Sequence, residues 1–138
     1  MRTAANPPAI DRLREILERD PRITYAIIFG SAATGSGSVH SDVDLAIGLA
    51  VDCRLDALDF GALTSHLEAA AGAPVDLVLL DEAPPGLAYR VFRDGRAILA
   101  RDSAALARRR ARAILEYLDF QPVEALCTRG VLAARHGR

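Results

Sequence analysis

Short β-branched runs alternating with amphipathic segments predict an α/β or α+β sheet with helices on at least one face. Three observations carry that expectation. Residues 23–29 (ITYAIIF), 43–49 (VDLAIGL) and 75–80 (VDLVLL) are brief, apolar and bounded by glycine, proline or aspartate, as buried strands are. Around them lie segments whose apolar residues recur at three- and four-residue intervals. The strands are almost wholly apolar apart from their aspartates, which predicts a sheet covered on much of both faces.

In chain order, Asn6 is placed to cap a first helix entered through Pro7 or Pro8, with Ile10, Leu13, Ile16 and Leu17 as its apolar stripe and Asp20-Pro21 as its stop. The first strand ends at Gly30. The second strand precedes a helix over residues 55–71, striped by Leu55, Leu58, Ala62, Leu63, Leu67 and Ala70 and stopped by Gly72 and Pro74. After the third strand, residues 84–93 form a short helix closed by Gly95, and 97–100 form a weak fourth strand. Ser103 is placed to cap a long Ala/Arg helix to about Leu118, and Pro122 to open a last helix toward Ala134.

At 138 residues the chain reads as one domain with room for a core that needs no staples. Apolar residues make up 51% and charged residues 25%, an ordinary globular balance. A net charge of -1 provides no overall field for coating nucleic acid, so bulk nucleic-acid binding is not expected. Cys53 and Cys127 lack metal-ligand spacing and read as reduced core residues. No apolar stretch is long enough to span a bilayer and residues 1–8 carry no signal-peptide core, so a cytoplasmic protein without membrane association is expected. Every basic residue is arginine, apart from the three histidines. The absence of lysine excludes a Walker-type phosphate loop and Schiff-base chemistry.

The stretch FGSAATGSGSVHSDVDLAI, residues 29–47, interrupts two apolar runs with a glycine-serine loop. Its bland reading is a connector with turn aspartates at a solvated edge. Its chemical reading begins with Asp42 and Asp44, two residues apart at the start of a strand. Alternation points both to one face, roughly 6.5 Å apart, where two carboxylates repel unless a cation lies between them. A hard divalent cation with oxygen ligands, such as Mg²⁺, suits them. Asp76 repeats the theme near the start of the third strand. If that strand neighbours the second, the three acids suffice for two ions roughly 4 Å apart. Gly30-Ser31, directly after a strand, leaves backbone N–H groups open to a phosphate.

Gly30-Ser31, Gly35, Ser41, Asp42, Asp44 and Leu45 resemble the G-S-x-x-x-G…S-D-x-D-L signature of the minimal nucleotidyltransferases of the DNA polymerase beta superfamily. The likeness continues through VDLVLL and RVFRDGRAILARD, covering about residues 23–102, and more loosely in EYLDF. It implies an α/β fold of nucleotidyltransferase type: a small mixed sheet with flanking and C-terminal helices, core about 8–102 and helical cap about 103–135 within a single 1–138 domain. It implies that Asp42, Asp44 and Asp76 bind metal and carry catalysis, and that Gly30 and Ser31 hold the triphosphate. The implied cofactor is Mg²⁺, two ions, with ATP or another NTP as substrate. For so short a chain it implies the antitoxin of a HEPN-type ribonuclease toxin, transferring AMP to a toxin tyrosine within a hetero-oligomer. The alternatives are a binding-only antitoxin and transfer to a small molecule of aminoglycoside type. Family members often carry arginine after the loop serine, where this chain has Ala32, Ala33 and Thr34.

The remaining candidates have plainer readings. His40 stands beside the signature as an exposed loop histidine or a nucleotide contact, and His66 and His136 read as structural or solvated. A Ser31–His40–Asp42 triad lacks a nucleophile elbow. Arg90, Arg93 and Arg96 follow the third strand, either reaching phosphates or lining a solvated helix face. Arg108, Arg109, Arg110 and Arg112 read as a solvated face, with a docking surface as the alternative. Tyr117 and Phe120 are placed in core or interface.

Overall fold

The apolar runs become strands where the alternation of residue types places them. The computed structural model describes residues 7–30 and 42–136, with side chains described for 9–30 and 42–120. In chain order come α1 (Pro7–Glu18), β1 (Ile23–Phe29), β2 (Val43–Leu49), α2 (Ala57–Ala71), β3 (Val75–Leu79), a 3-10 turn (Leu80–Glu82), α3 (Pro85–Asp94), β4 (Arg96–Ala100) and α4 (Ser103–His136). The strands form a mixed sheet in the order β3-β2-β1-β4. β1 is antiparallel to β2 and β4, whereas β2 and β3 are parallel. A parallel pair needs a crossover, and α2 supplies it.

Strand alternation divides the core in two. Ile28, Val43, Leu45 and Ile47 pack with Leu13 and Leu17 of α1 and Leu67 of α2. Ile27, Phe29 and Ala46 turn the other way, toward Val91 of α3 and Ala113 of α4. Both faces are covered, as strands this apolar require. A register shift between Ile23 and Tyr25 brings Ile23 into the α1/α2 core, although the odd-numbered residues after it face α3 and α4.

Hydrogen bonds to polar side chains set several boundaries. α2 starts at Ala57 rather than 55 because Asp56 caps it, accepting from the Asp59 N–H at 2.7 Å. Its end is Gly72, at φ +68°, whose N–H reaches the Glu68 carbonyl. The Glu68 carboxylate accepts from the Val75 N–H at 2.9 Å and so anchors the start of β3. The α4 cap is Asp102 rather than Ser103: its carboxylate accepts from the Ala105 N–H at 3.0 Å. Asn6 lies outside the described residues.

Three expectations need correction. The two C-terminal helices are one, because the backbone of α4 stays helical through Pro122. Proline withholds one N–H, but Asp119, Phe120 and Gln121 offer no glycine or asparagine to reverse the chain. Cys53 is half-buried in the turn after β2, where Asp52 adopts φ +66°, rather than in the core; the side chain of Cys127 lies outside the described residues. The arginine run is not a uniform solvated face. Arg108, Arg110 and Arg112 are exposed, but Arg109 is 6% exposed and tethers α4 to the sheet. Its Nη2 donates to the Leu80 carbonyl at 3.0 Å and its Nε to Asp81 at 3.1 Å.

Arg109→Ala is therefore expected to lower stability by about 2–3 kcal/mol, because it strands a buried carbonyl and leaves a void under α4. Arg110→Ala should stay within about 0.5 kcal/mol of wild type. Urea denaturation of both variants checks the contrast. Among the described residues no helix is long and apolar enough to cross a membrane.

Candidate active site

Sheet register assembles the site at one end of the central strands. In the parallel pair Asp44 is the direct partner of Asp76, and in the antiparallel pair it stands opposite Phe29. Neighbouring strands lie about 4.8 Å apart, so residues in register on a shared face bring their side chains side by side. Asp44 and Asp76 occupy the face that α3 and α4 cover, alternating with Val43, Leu45, Val75 and Leu77 of the opposite core. Asp42 precedes the strand, exposed, and Asp76 is exposed as well; Asp44 is half-buried between β1 and β3.

Gly30 closes the inner wall. Its φ is +70°, and a Cβ built on it would overlap the Asp44 carboxylate, lying 3.2 Å from Cγ. The strand therefore ends on a residue with no side chain because the acid occupies that space. Phe29, Gly30, Asp44, Asp76, Leu87 and Arg90 line a cavity of about 200 Å³. Leu87, Arg90 and Asp94 reach it from α3, at the three- and four-residue spacing of one helix face.

The charges are visibly unbalanced. Burial raises the Asp44 carboxyl above the ordinary aspartate range, Asp76 and then Asp42 add repulsion, and Arg90 partly offsets them. Carboxylate oxygens crowded in this way are hard donors suited to Mg²⁺, which characteristically takes one or two carboxylates and completes its shell with phosphate oxygens and water. Among the described residues no three His, Cys, Asp or Glu side chains close into a ligand set. The expected convergence thus holds for Asp44 and Asp76 as register partners, while Asp42 acts on Asp44 through its charge.

The other candidates separate. Ser31, with Gly35, His40 and Ser41, lies outside the described residues, and so does any triad built on Ser31 and His40. His66 is exposed on α2, beside a groove of about 910 Å³ on the opposite side of the sheet. The Arg22 guanidinium in that groove is already held by Asp20 at 2.8 Å and Asp59 at 2.9 Å. Tyr117 is neither free nor deep in the core: its ring stacks on Tyr89 of α3 with centroids 4.1 Å apart. Arg93 binds Asp94 through two bonds of 2.9 and 2.8 Å, and Arg96 is exposed on β4, so only Arg90 of the three reaches the acids. Helical spacing relative to Leu87 is the sequence signal that separates Arg90 from its neighbours.

The family described as "Polymerase beta, Nucleotidyltransferase" matches residues 11–104, a span containing Gly30 and all three acids. The chain belongs to this nucleotidyltransferase family. No curated protein matches it significantly in sequence. Among solved structures, a chain of a toxin-antitoxin with AMP-PNP aligns with this nucleotidyltransferase at a TM-score of 0.78 and 23% identity, covering 90% of this chain and 98% of that one. A chain from a tri-AMPylated Shewanella oneidensis HEPN toxin in complex with MNT antitoxin aligns at 0.74 and 21%, covering 91% and 97%. A structure described as a minimal nucleotidyltransferase aligns at 0.54 and 26%, covering 63% and 86%. The first two likenesses establish that the fold extends over nearly the whole nucleotidyltransferase chain.

Proposed function

We propose that this nucleotidyltransferase is the antitoxin of a HEPN-type ribonuclease toxin, transferring AMP from ATP to a hydroxyl of that toxin, a tyrosine. The observation that carries the reading is the register pairing of Asp44 with Asp76 beside Gly30. It keeps two acids on one face, beside a strand end whose glycine carries no side chain. The AMP-PNP and the tri-AMPylated HEPN toxin among the structural neighbours support the choice of nucleotide and acceptor. In this reading residues 8–102 form the catalytic core and 103–135 a helical cap of one cytoplasmic domain.

Asp42 and Asp44 would hold two Mg²⁺ ions, and Asp76 would complete the shell of one. When bound, the ions supply charge neutralisation for the triphosphate and the transition state. The acceptor hydroxyl oxygen attacks the α-phosphorus, forming a new O–P bond. The bond from that phosphorus to the β-phosphate oxygen breaks, and pyrophosphate leaves with the electron pair. Asp76, exposed at the cavity mouth, takes the hydroxyl proton. Gly30 and Ser31 position the triphosphate; positioning and electrostatics provide most of the rate in such a transfer.

Occlusion without chemistry is the second reading. It is favoured by the apolar face that α4 leaves uncovered at Leu115 and Leu118, 62% and 56% exposed. The two differ in stoichiometry. Catalytic amounts of this protein, incubated with a HEPN-type toxin encoded beside it, Mg²⁺ and ATP, should leave the toxin inactive after separation. Mass spectrometry should find a nucleotidyl increment on a toxin hydroxyl side chain. A toxin that regains activity on separation would establish occlusion. Label transfer to an aminoglycoside instead of the toxin would move the acceptor to the small-molecule class.

A further inference from the structure

We propose that Arg90 is the side chain that neutralises the nucleotide phosphates in the Asp44–Asp76 cavity, an assignment that rests on the nucleotidyl-transfer reading above. A triphosphate beside three carboxylates needs positive charge beyond that of the ions. The chain contains no lysine, and the loop over residues 31–41 contains no arginine; its one basic side chain is His40. A permanent positive charge on the phosphates therefore comes from elsewhere in the fold. Among the described residues that line the cavity, Arg90 is the only cation.

Among the described residues Arg90 is also unoccupied. Its potential competitor, Asp94, lies one helical turn away on the same wall, but Arg93 holds that carboxylate with two bonds of 2.9 and 2.8 Å. Among the described residues Arg90 makes neither a hydrogen bond nor an ion pair of its own, although its charge reaches Asp44. An exposed guanidinium beside a cluster of acids, with the Asp94 carboxylate one turn away bound to another arginine, keeps its five donors open for a ligand. A planar fork of this kind matches phosphate oxygens in pairs. α3 thus delivers from the helix after β3 the cation that the glycine-serine loop lacks.

Nucleotide binding tests the assignment without an acceptor. Titration calorimetry with AMP-PNP and with AMP, each in Mg²⁺, should show wild type preferring AMP-PNP. Arg90→Ala should lose about tenfold or more in AMP-PNP affinity, the scale of one charge-assisted hydrogen bond, while AMP affinity changes less than about twofold. Arg90→Lys should recover part of the loss, and Arg96→Ala on the neighbouring strand should match wild type. Because Arg90 is exposed, thermal melts of all variants should coincide within about 2 °C. If wild type binds AMP-PNP and Arg90→Ala binds it equally well, the Arg90 assignment is overturned. If wild type binds neither nucleotide, the nucleotidyl-transfer reading itself fails.

Discussion

Asp44→Asn should cut Mg²⁺-dependent AMP transfer by roughly a thousandfold while raising the melting temperature of the apo protein. The two effects share one cause. Asp44 carries a carboxyl whose proton affinity is raised by burial first, then by Asp76 and Asp42. A raised value in the folded state means that the folded protein binds that proton more tightly than the unfolded chain does. The stabilisation is complete below the ordinary aspartate range and disappears as pH rises through the raised value, so ionised Asp44 is a net cost at neutral pH. Asparagine keeps the shape and removes the repulsion. The gain should be roughly 2 °C at neutral pH and should shrink to nothing as pH falls through the carboxylate range, where wild type protonates Asp44 itself. Paired thermal melts across pH check this, with label transfer from α-labelled ATP as the activity readout. An Asp44→Asn protein with full activity would remove the acid from the mechanism; unchanged melting at neutral pH would mean that the three charges are screened from one another.

Gly30→Ala should lower kcat/KM by about a hundredfold, the usual cost of displacing a reacting group by an ångström or so. The methyl group has no free space, since it would overlap the Asp44 carboxylate, and the backbone holds φ +70°, which L side chains rarely adopt. Asp44 must swing away from Asp76 or β1 must retreat. Gly72 provides the control. It has almost the same backbone, φ +68°, but no atom lies within 4 Å of its would-be Cβ. Gly72→Ala should therefore carry only the conformational cost, about 1 kcal/mol, with unchanged kinetics. Steady-state kinetics and denaturation of the two variants separate the steric effect from the conformational one. Equal losses of activity in both would reduce Gly30 to a turn residue.

Much of the scaffold was legible because local residue types and burial pull in the same direction. β1 and β2 run at 23–29 and 43–49, where their β-branched apolar residues put them, and the alternation of Val43, Asp44, Leu45 and Ala46 assigns each side chain to a face before any neighbour is known. The boundaries that differed, at Ala57 and around Asp102, depend on which acid actually accepts an N–H, a choice among adjacent polar residues that sequence leaves open. The helix through Pro122 differed because a proline is only a local penalty, and nothing beside it turns the chain.

The amino-acid sequence by itself determined the materials of the site. It held three aspartates in or directly before strands, a glycine at the end of β1 and a supply of permanent positive charge confined to arginine, because these follow from residue identity and from the period of two along a strand. Only the tertiary structure decided their arrangement. Nothing local relates Asp44 to Asp76, thirty-two positions later; parallel pairing of β2 with β3 makes them direct partners. Likewise Arg90 and Arg109 are the same residue type on amphipathic helices. One is left open beside the acids, and the other is buried against the Leu80 carbonyl and Asp81. What distinguishes them is which helix face meets the sheet, and packing across the whole molecule sets that, because the free energy of burying a face depends on the surface it meets.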